Sequence, residues 1–234
     1  MKSGIVSLVG RPNVGKSTLM NHLLKRHLAI TSNKPQTTRN AIQGVYQDEE
    51  AQIVFVDTPG IHKPTHKLGT YLNKEAYYHM EDVDLILFLV DASLKLGPGD
   101  QYIIESLKQN HVPVFLVLNK IDKLKKEQIM DKIKEYMDLY PFQEIIPISA
   151  LKEDNLKTLL KVMKSYLKEG ACYYEEGDIT NQSTRFLLSE LIREKVFRLT
   201  EEEIPHSVAC TIESIETKKN SVTIYADEVT ILGK

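Results

Sequence analysis

"GRPNVGKST", Gly10 to Thr18, follows the β-branched run "IVSLV" (5–9) and opens the helical stretch "STLMNHLLKRH" (17–27). Gly10, Gly15, Lys16 and Ser17 satisfy the pattern G-x-x-x-x-G-K-[ST]. The glycines let the loop turn so that its N–H groups face inward, making a nest for phosphate oxygens at a helix N-terminus. Lys16 is expected to reach the terminal phosphates and the Ser17 hydroxyl to ligand Mg²⁺. Arg11, Pro12, Asn13, Val14 and Thr18 complete the expected nucleotide contacts of this loop. A turn that holds nothing can carry the same letters, but the strand before it and the helix after it favour the phosphate loop.

The strand that feeds this loop is one of a series. From residue 3 to about 168, short apolar runs ("AQIVFV", "DLILFLV", "PVFLVLN", "EIIPIS") alternate with segments of helical period. Nearly continuous apolar strands are buried on both faces, as in a mostly parallel sheet covered by helices, so the expected class is doubly wound α/β. In "AIQGVYQDEEAQIVFV" (41–56), two strand-like runs flank the polar turn "QDEE", which predicts a hairpin and one antiparallel edge strand.

"LKEGACYYEEGDITNQSTR" (167–185) breaks the rhythm and reads as a linker ending near Ser183. Beyond it, "RFLLSELIREKVFRLTEEE" predicts an amphipathic helix with Phe186, Leu187, Ile192, Val196 and Leu199 on one face. The strand-like "SVACTIESIE" and "SVTIYADEVTIL" follow, so a small α+β unit is expected to begin here.

Composition narrows the class. Lys and Arg total 30 against 32 Asp and Glu, so nucleic-acid binding needs a local patch rather than a global charge excess. No apolar stretch approaches the ~20 residues of a spanning helix. The first strand begins almost at the N-terminus, leaving no room for a signal peptide. Cys172 and Cys210 lack metal or redox spacing and read as idle or buried thiols in a reducing compartment. These features point to a soluble cytoplasmic protein.

A phosphate loop does not choose a base. "LVLNKID" (116–122) ends a strand with Asn119, Lys120, Ile121 and Asp122. The Asp122 carboxylate can accept from N1–H and the exocyclic amine of guanine, whereas against adenine it would stay buried and unpaired. Such a site rejects the analogue lacking the donors by ~10⁴-fold or more. Lys120 is expected along the ring and Asn119 as a brace between loops. In "ISAL" (148–151), Ser149, Ala150 and Leu151 end the next strand, with the Ala150 N–H expected to donate to guanine O6. "VDTPG" (56–60) supplies Asp57 for Mg²⁺, and Thr58, Pro59 and Gly60 for a loop that senses the γ-phosphate. In "NKPQTTRNA" (33–41), Thr37 or Thr38 completes the metal shell, with Thr38 favoured. The catalytic set expected is therefore Lys16, Thr38, Asp57 and Gly60, with Asn13 added below; the metal set is Ser17, Thr38 and Asp57.

"GRPNVGKST", "KPQTTR", "DTPGIHKP", "NKID" and "SAL", followed by "LIREKVFRLTEEEIPHS", resemble the Era family of bacterial ribosome-assembly GTPases over essentially the whole chain. The resemblance implies a Ras-like G domain (P-loop NTPase) over 1–170, a linker over 171–183 and a KH-type RNA-binding domain over 184–234. It also implies GTP/GDP and Mg²⁺ as ligands, and 16S rRNA and the small ribosomal subunit as partners. Peripheral association with the inner face of the cell membrane and a monomeric state are further expectations. A KH domain clamps single-stranded RNA with a G-x-x-G loop. "ILGK" supplies only the first two residues of such a loop, so the KH domain is expected to be truncated. From Arg185 onward there are 7 Lys and Arg against 9 Asp and Glu, so this part is not basic.

Ras-like enzymes carry a water-orienting glutamine where this chain has Ile61, and isoleucine has no polar atom for that task. Asn13 offers one answer, in which its amide oxygen joins backbone carbonyls of "KPQTTR" in holding K⁺ near the β–γ bridge. In the other, Asn13 only braces the loop. His62 and His66 stand four apart, yet Pro64 argues for a mobile switch loop rather than a metal pair. The lysines of "KLKKEQIMDKIK" (123–134) read as the solvated face of a helix. Two alternatives to a GTP-hydrolysing switch are a nucleotide-dependent RNA- or protein-binding module with negligible hydrolysis, and a related tRNA-modification GTPase.

Overall fold

The computed structural model describes residues 1–32, 37–64, 67–199, 208–218 and 221–230. Seven strands form the main sheet: β1 (Lys2–Gly10), β2 (Ile42–Gln47), β3 (Ala51–Asp57), β4 (Leu85–Asp91), β5 (Val114–Asn119), β6 (Glu144–Pro147) and β7 (Lys168–Glu169). Their order is β2-β3-β1-β4-β5-β6, all parallel except β2, which runs antiparallel to β3 at the edge. The two-residue β7 pairs antiparallel with the start of β1. The β2–β3 turn closes on Asp48, whose Oδ1 accepts the N–H groups of Glu50 and Ala51, both at 3.0 Å.

Alternation along the central strands assigns each face of the sheet its own core. Leu85, Leu87 and Leu89 of β4 and Phe115 and Val117 of β5 join Leu8, Leu19, Met20, Leu159 and Met163 on one face. There α1 (Lys16–Leu24) and α5 (Leu156–Tyr166) cover the sheet. Ile86, Phe88 and Val90, with Val114, Leu116 and Leu118, pack on the other face against Ala76, Ile103, Leu107 and Tyr136. These last residues come from α2 (Lys67–Tyr78), α3 (Pro98–Leu107) and α4 (Lys126–Met137). The doubly wound α/β class and the antiparallel edge strand hold. The loops carrying Lys16, Asp57, Asp122 and Ser149 leave the C-terminal ends of parallel strands, where such sheets place their ligands, and the Thr38 loop, between α1 and the antiparallel β2, meets them there.

The segment after α5 differs from a loose linker. Gln52, wholly buried in β3, accepts the N–H groups of Tyr173 and Tyr174 at 2.7 and 3.0 Å and donates to Tyr174 O at 2.9 Å. Ile179 O accepts from Val45 N at 2.9 Å, and Thr180 Oγ1 donates to Gln43 O at 2.6 Å. Irregular backbone thus straps the open edge of β2, pairing groups that an edge strand leaves bare.

The helix α6 (Thr184–Leu199) is present, but its buried face is not the apolar one expected. Glu190, Arg193, Glu194 and Phe197 are buried, whereas Leu199 is 83 % exposed; Phe186 and Leu187 pack partly against the core. The reason lies in what the helix docks on, a polar loop whose backbone groups need partners. Glu194 accepts from Thr31 N at 3.0 Å and from Thr31 Oγ1 at 3.2 Å, and Arg193 Nη2 donates to Thr37 O at 2.7 Å. A two-stranded antiparallel sheet of β8 (Val208–Lys218) and β9 (Ser221–Thr230) follows. "EEIPHS" (202–207), Lys219 and "ILGK" (231–234) lie outside the described residues.

Candidate nucleotide-binding site

Four carbonyls of the loop after β1 are taken up by side chains. Lys16 Nζ lies 3.2 Å from both Gly10 O and Arg11 O, Asn13 O accepts from Lys120 Nζ at 2.7 Å, and Val14 O accepts from Asn119 Nδ2 at 2.8 Å. Gly15 has φ +103°, in the left-handed region, and a Cβ there would collide with the Asn119 amide. From Gly15 the chain enters α1 with no side-chain cap and no acidic residue in the first turn, so the helix presents its opening N–H groups and positive dipole end to the cleft.

Behind the loop, three oxygens converge. Ser17 Oγ donates to Asp57 Oδ2 at 2.5 Å, and Thr38 Oγ1 lies 3.2 Å from Ser17 Oγ and 3.4 Å from Asp57 Oδ2. Asp57 is fully buried, and among the described residues its Oδ1 has no hydrogen-bond partner. Two hydroxyls and a carboxylate form the all-oxygen donor set that hard divalent cations take. Thr37 instead turns its hydroxyl to Ser32 Oγ, 2.7 Å away. Burial pushes the Lys16 ammonium down to about 8, against the pull of Asp57; burial also pushes the Asp57 carboxyl up, opposed by Lys16, Ser17 and Thr38.

At the other end of the cleft, Ser149 Oγ donates to Asp122 Oδ1 at 2.5 Å. Asn119 Oδ1 accepts from Lys120 N at 2.8 Å and from Ala150 N at 2.9 Å. The Ala150 N–H, expected to donate to guanine O6, here donates to Asn119 between the two loops. Lys120 sits at φ +67° before a 3-10 turn over Ile121–Lys123.

The cleft holds about 310 Å³. Of the residues expected from sequence, Pro12, Asn13, Gly15, Lys16, Ser17 and Thr18 line it, as do Thr38, Gly60, Asn119, Lys120 and Asp122, with Ala150 and Leu151. Gly10, Arg11, Val14, Ile121 and Ser149 lie behind or beside that lining. Thr58 is turned under the sheet, its hydroxyl donating to Leu8 O at 2.7 Å, and Pro59 and Ile61 are buried. Gly60 abuts the first loop, where a Cβ would come within 2.6 Å of Pro12 N. His62 Nδ1 lies 3.2 Å from Gly60 O, while His66 and residues 33–36 of the "NKPQTTRNA" segment lie outside the described residues.

Sequence reading missed several walls of the cleft. Ile30, Thr31, Ser32 and Lys123 line it, and Asp91 pairs with Lys120 at 2.6 Å. None belongs to a spaced pattern; only the placement of Asp91 at a strand's C-terminal end was a usable signal.

A family model described as "50S ribosome-binding GTPase" matches residues 5–120. GTPase Era of Clostridium kluyveri is 50% identical over 232 residues, covering 99% of this chain and 78% of that protein. GTPase Era of Clostridium botulinum (strain Kyoto / Type A2) is 53% identical over 231 residues, covering 99% and 77%. Among solved structures, Era in complex with MgGDPNP and nucleotides 1506–1542 of 16S ribosomal RNA superposes with a TM-score of 0.94 at 40% identity, covering 98% of this chain and 79% of that one. A variant of Aquifex aeolicus Era bound to GDP·AlF4⁻ superposes with a TM-score of 0.93 at 40% identity, again covering 98% and 79%.

Proposed function

The chain belongs to the Era family of GTPases, and from that premise we propose that its cleft binds GTP and GDP with Mg²⁺, hydrolyses GTP, and couples nucleotide state to small-subunit (30S) assembly through 16S rRNA. The observation that carries the reading is a single cleft lined by Asp122 at one end, backed by Ser149, and by Lys16, Ser17 and Thr38 at the other, backed by Asp57. In this reading residues 1–170 are the G domain, 171–183 the connection and 184–234 the KH-type part.

Each residue then has a task. Asp122, aimed by Ser149, accepts from the guanine edge. The N–H groups of Asn13 to Thr18 and the Lys16 ammonium take the phosphate oxygens. Ser17, Thr38 and Asp57 hold the metal, and the partnerless buried Oδ1 of Asp57 fits a hydrated cation. When bound, Mg²⁺ neutralises charge on the β- and γ-phosphates. Gly60, packed on Pro12, brings its N–H toward the γ-phosphate. Asn13, exposed at the rim, would take K⁺ through its amide oxygen; equal hydrolysis in Na⁺ and K⁺, unchanged by Asn13→Ala, overturns that part.

No helix among the described residues is long and apolar enough to cross a membrane. The chain is read as a cytoplasmic monomer, with peripheral association at the inner face of the membrane. The deciding experiment measures GTP, GDP and ATP binding with and without a 16S rRNA 3′-end fragment, together with multiple-turnover hydrolysis. Guanine-selective binding and turnover lost in folded Lys16→Ala and Asp57→Ala support the proposal; preference for ATP overturns it. A second reading, a binding module with negligible hydrolysis, draws on the apolar Ile61, and absent turnover despite tight GTP binding would select it.

A further inference from the structure

Asp91 ends β4 and belongs to none of the motifs used above. Its two carboxylate oxygens have separate partners. Oδ1 accepts from Ser93 N at 3.1 Å and Ser93 Oγ at 2.6 Å, which fixes the carboxylate. Oδ2 faces Lys120 Nζ at 2.6 Å, with the two side chains 10 % and 26 % exposed. The same ammonium donates to Asn13 O at 2.7 Å. A lysine head on a four-carbon stem has no preferred direction of its own, so a fixed, mostly buried carboxylate selects one.

The two loops joined this way are both strained. Asn13 and Lys120 have φ +64° and +67°, which non-glycine residues seldom adopt. The Gly10, Arg11 and Val14 carbonyls are reached by Lys16 and Asn119, the latter set by the N–H groups of Lys120 and Ala150. The Asn13 carbonyl is held by a lysine whose head faces Asp91.

We propose that Asp91 is a positioning residue for nucleotide binding: it aims the Lys120 ammonium at the Asn13 carbonyl and so locks the phosphate loop to the base-binding loop. The proposal rests on the reading of the cleft as a guanine-nucleotide site. Loosening this clasp should speed release of the whole nucleotide while leaving the choice of base with Asp122.

The test measures GDP dissociation rates for wild type, Asp91→Asn, Lys120→Met, the double variant and Ser93→Ala, with thermal unfolding as a folding control. Charge-assisted bonds of this kind predict release about tenfold or more faster in Asp91→Asn. The double variant should be no faster than Lys120→Met, Ser93→Ala, which keeps the charge and the backbone bond but loses the hydroxyl bond, should speed release less than Asp91→Asn, and the ratio of IDP to GDP affinity should be unchanged in Asp91→Asn. Asp91→Glu keeps the charge and should recover part of the loss. Unchanged release in Asp91→Asn, effects that multiply in the double variant, or an equal effect from Ser93→Ala would overturn the proposal and reduce Asp91 to a turn residue. Failure of wild type to bind GDP would instead overturn the nucleotide reading itself, and this proposal with it.

Discussion

Ile61 shows what one residue can settle about chemistry. It stands where a water-orienting glutamine was looked for, and its side chain is wholly buried in the cluster with Val9, Ile86 and Phe88 while its N–H donates to Gly10 O at 3.1 Å. Ile61→Gln would carry an amide into that apolar layer, so about 1–3 kcal/mol of stability should be lost in urea titrations with no gain in hydrolysis rate. Lys16 predicts a pH effect. Its folded-state value of about 8 lies below the unfolded 10.5, so between these values the unfolded chain holds a proton that the folded chain lacks. The contribution of Lys16 to the stability of the nucleotide-free protein should therefore rise from pH 8 to 10.5, with the full cost of the buried charge present below 8. Polyphosphate favours the ammonium, so GDP binding near pH 8–9 should take up protons, measurable by calorimetry in buffers of different ionisation enthalpy. At the proposed base end, Asp122→Asn replaces one of two acceptor oxygens with an NH2 donor that would face a guanine donor. GDP affinity should fall by ~10²-fold or more, read by direct titration.

The helix α6 carries the lesson at the scale of the element. Its spacing of apolar residues suggested a greasy face, yet its carboxylates and guanidinium are what the fold buries. Burial tends to raise the Glu194 carboxyl, but His27, Thr31 and Arg198 outweigh it and hold the group below its ordinary value. His27 Nε2 lies 2.8 Å from Glu194 Oε2 and Arg198 Nη2 lies 2.7 Å from Oε1. Glu194→Ala would leave the Thr31 N–H and hydroxyl without their acceptor, while His27 and Arg198, each about half exposed, can turn to water. A loss of about 1–3 kcal/mol in local stability is expected, seen as faster amide exchange at Thr31 and Thr37. Because those residues flank the cleft, the helix reaches the site through backbone contacts rather than through any motif.

Across the whole molecule, a parallel sheet gathers loops distant in sequence at one end, and the chain beyond α5 then straps the exposed edge. Gln52 is the pivot of that strap. Gln52→Ala should cost about 1–3 kcal/mol in chemical denaturation and speed proteolytic cleavage near 172–180, since three backbone groups lose their partner together.

The sequence alone determined the doubly wound sheet, its antiparallel edge and the two ends of the cleft, because strand alternation and fixed-spacing loops are local consequences of backbone geometry. It favoured Thr38 over Thr37 without deciding between them; the structure sets the Thr38 hydroxyl beside Ser17 and Asp57. Tertiary structure alone decided that Ala150 donates to Asn119, that Asp91 aims Lys120, that residues 172–180 form a strap, and that α6 docks through charge. Each of these depends on which polar groups meet after folding, and hydrogen-bond partners 29 residues apart, as Asp91 and Lys120 are, or 163 apart, as Thr31 and Glu194 are, leave no periodic trace in the chain.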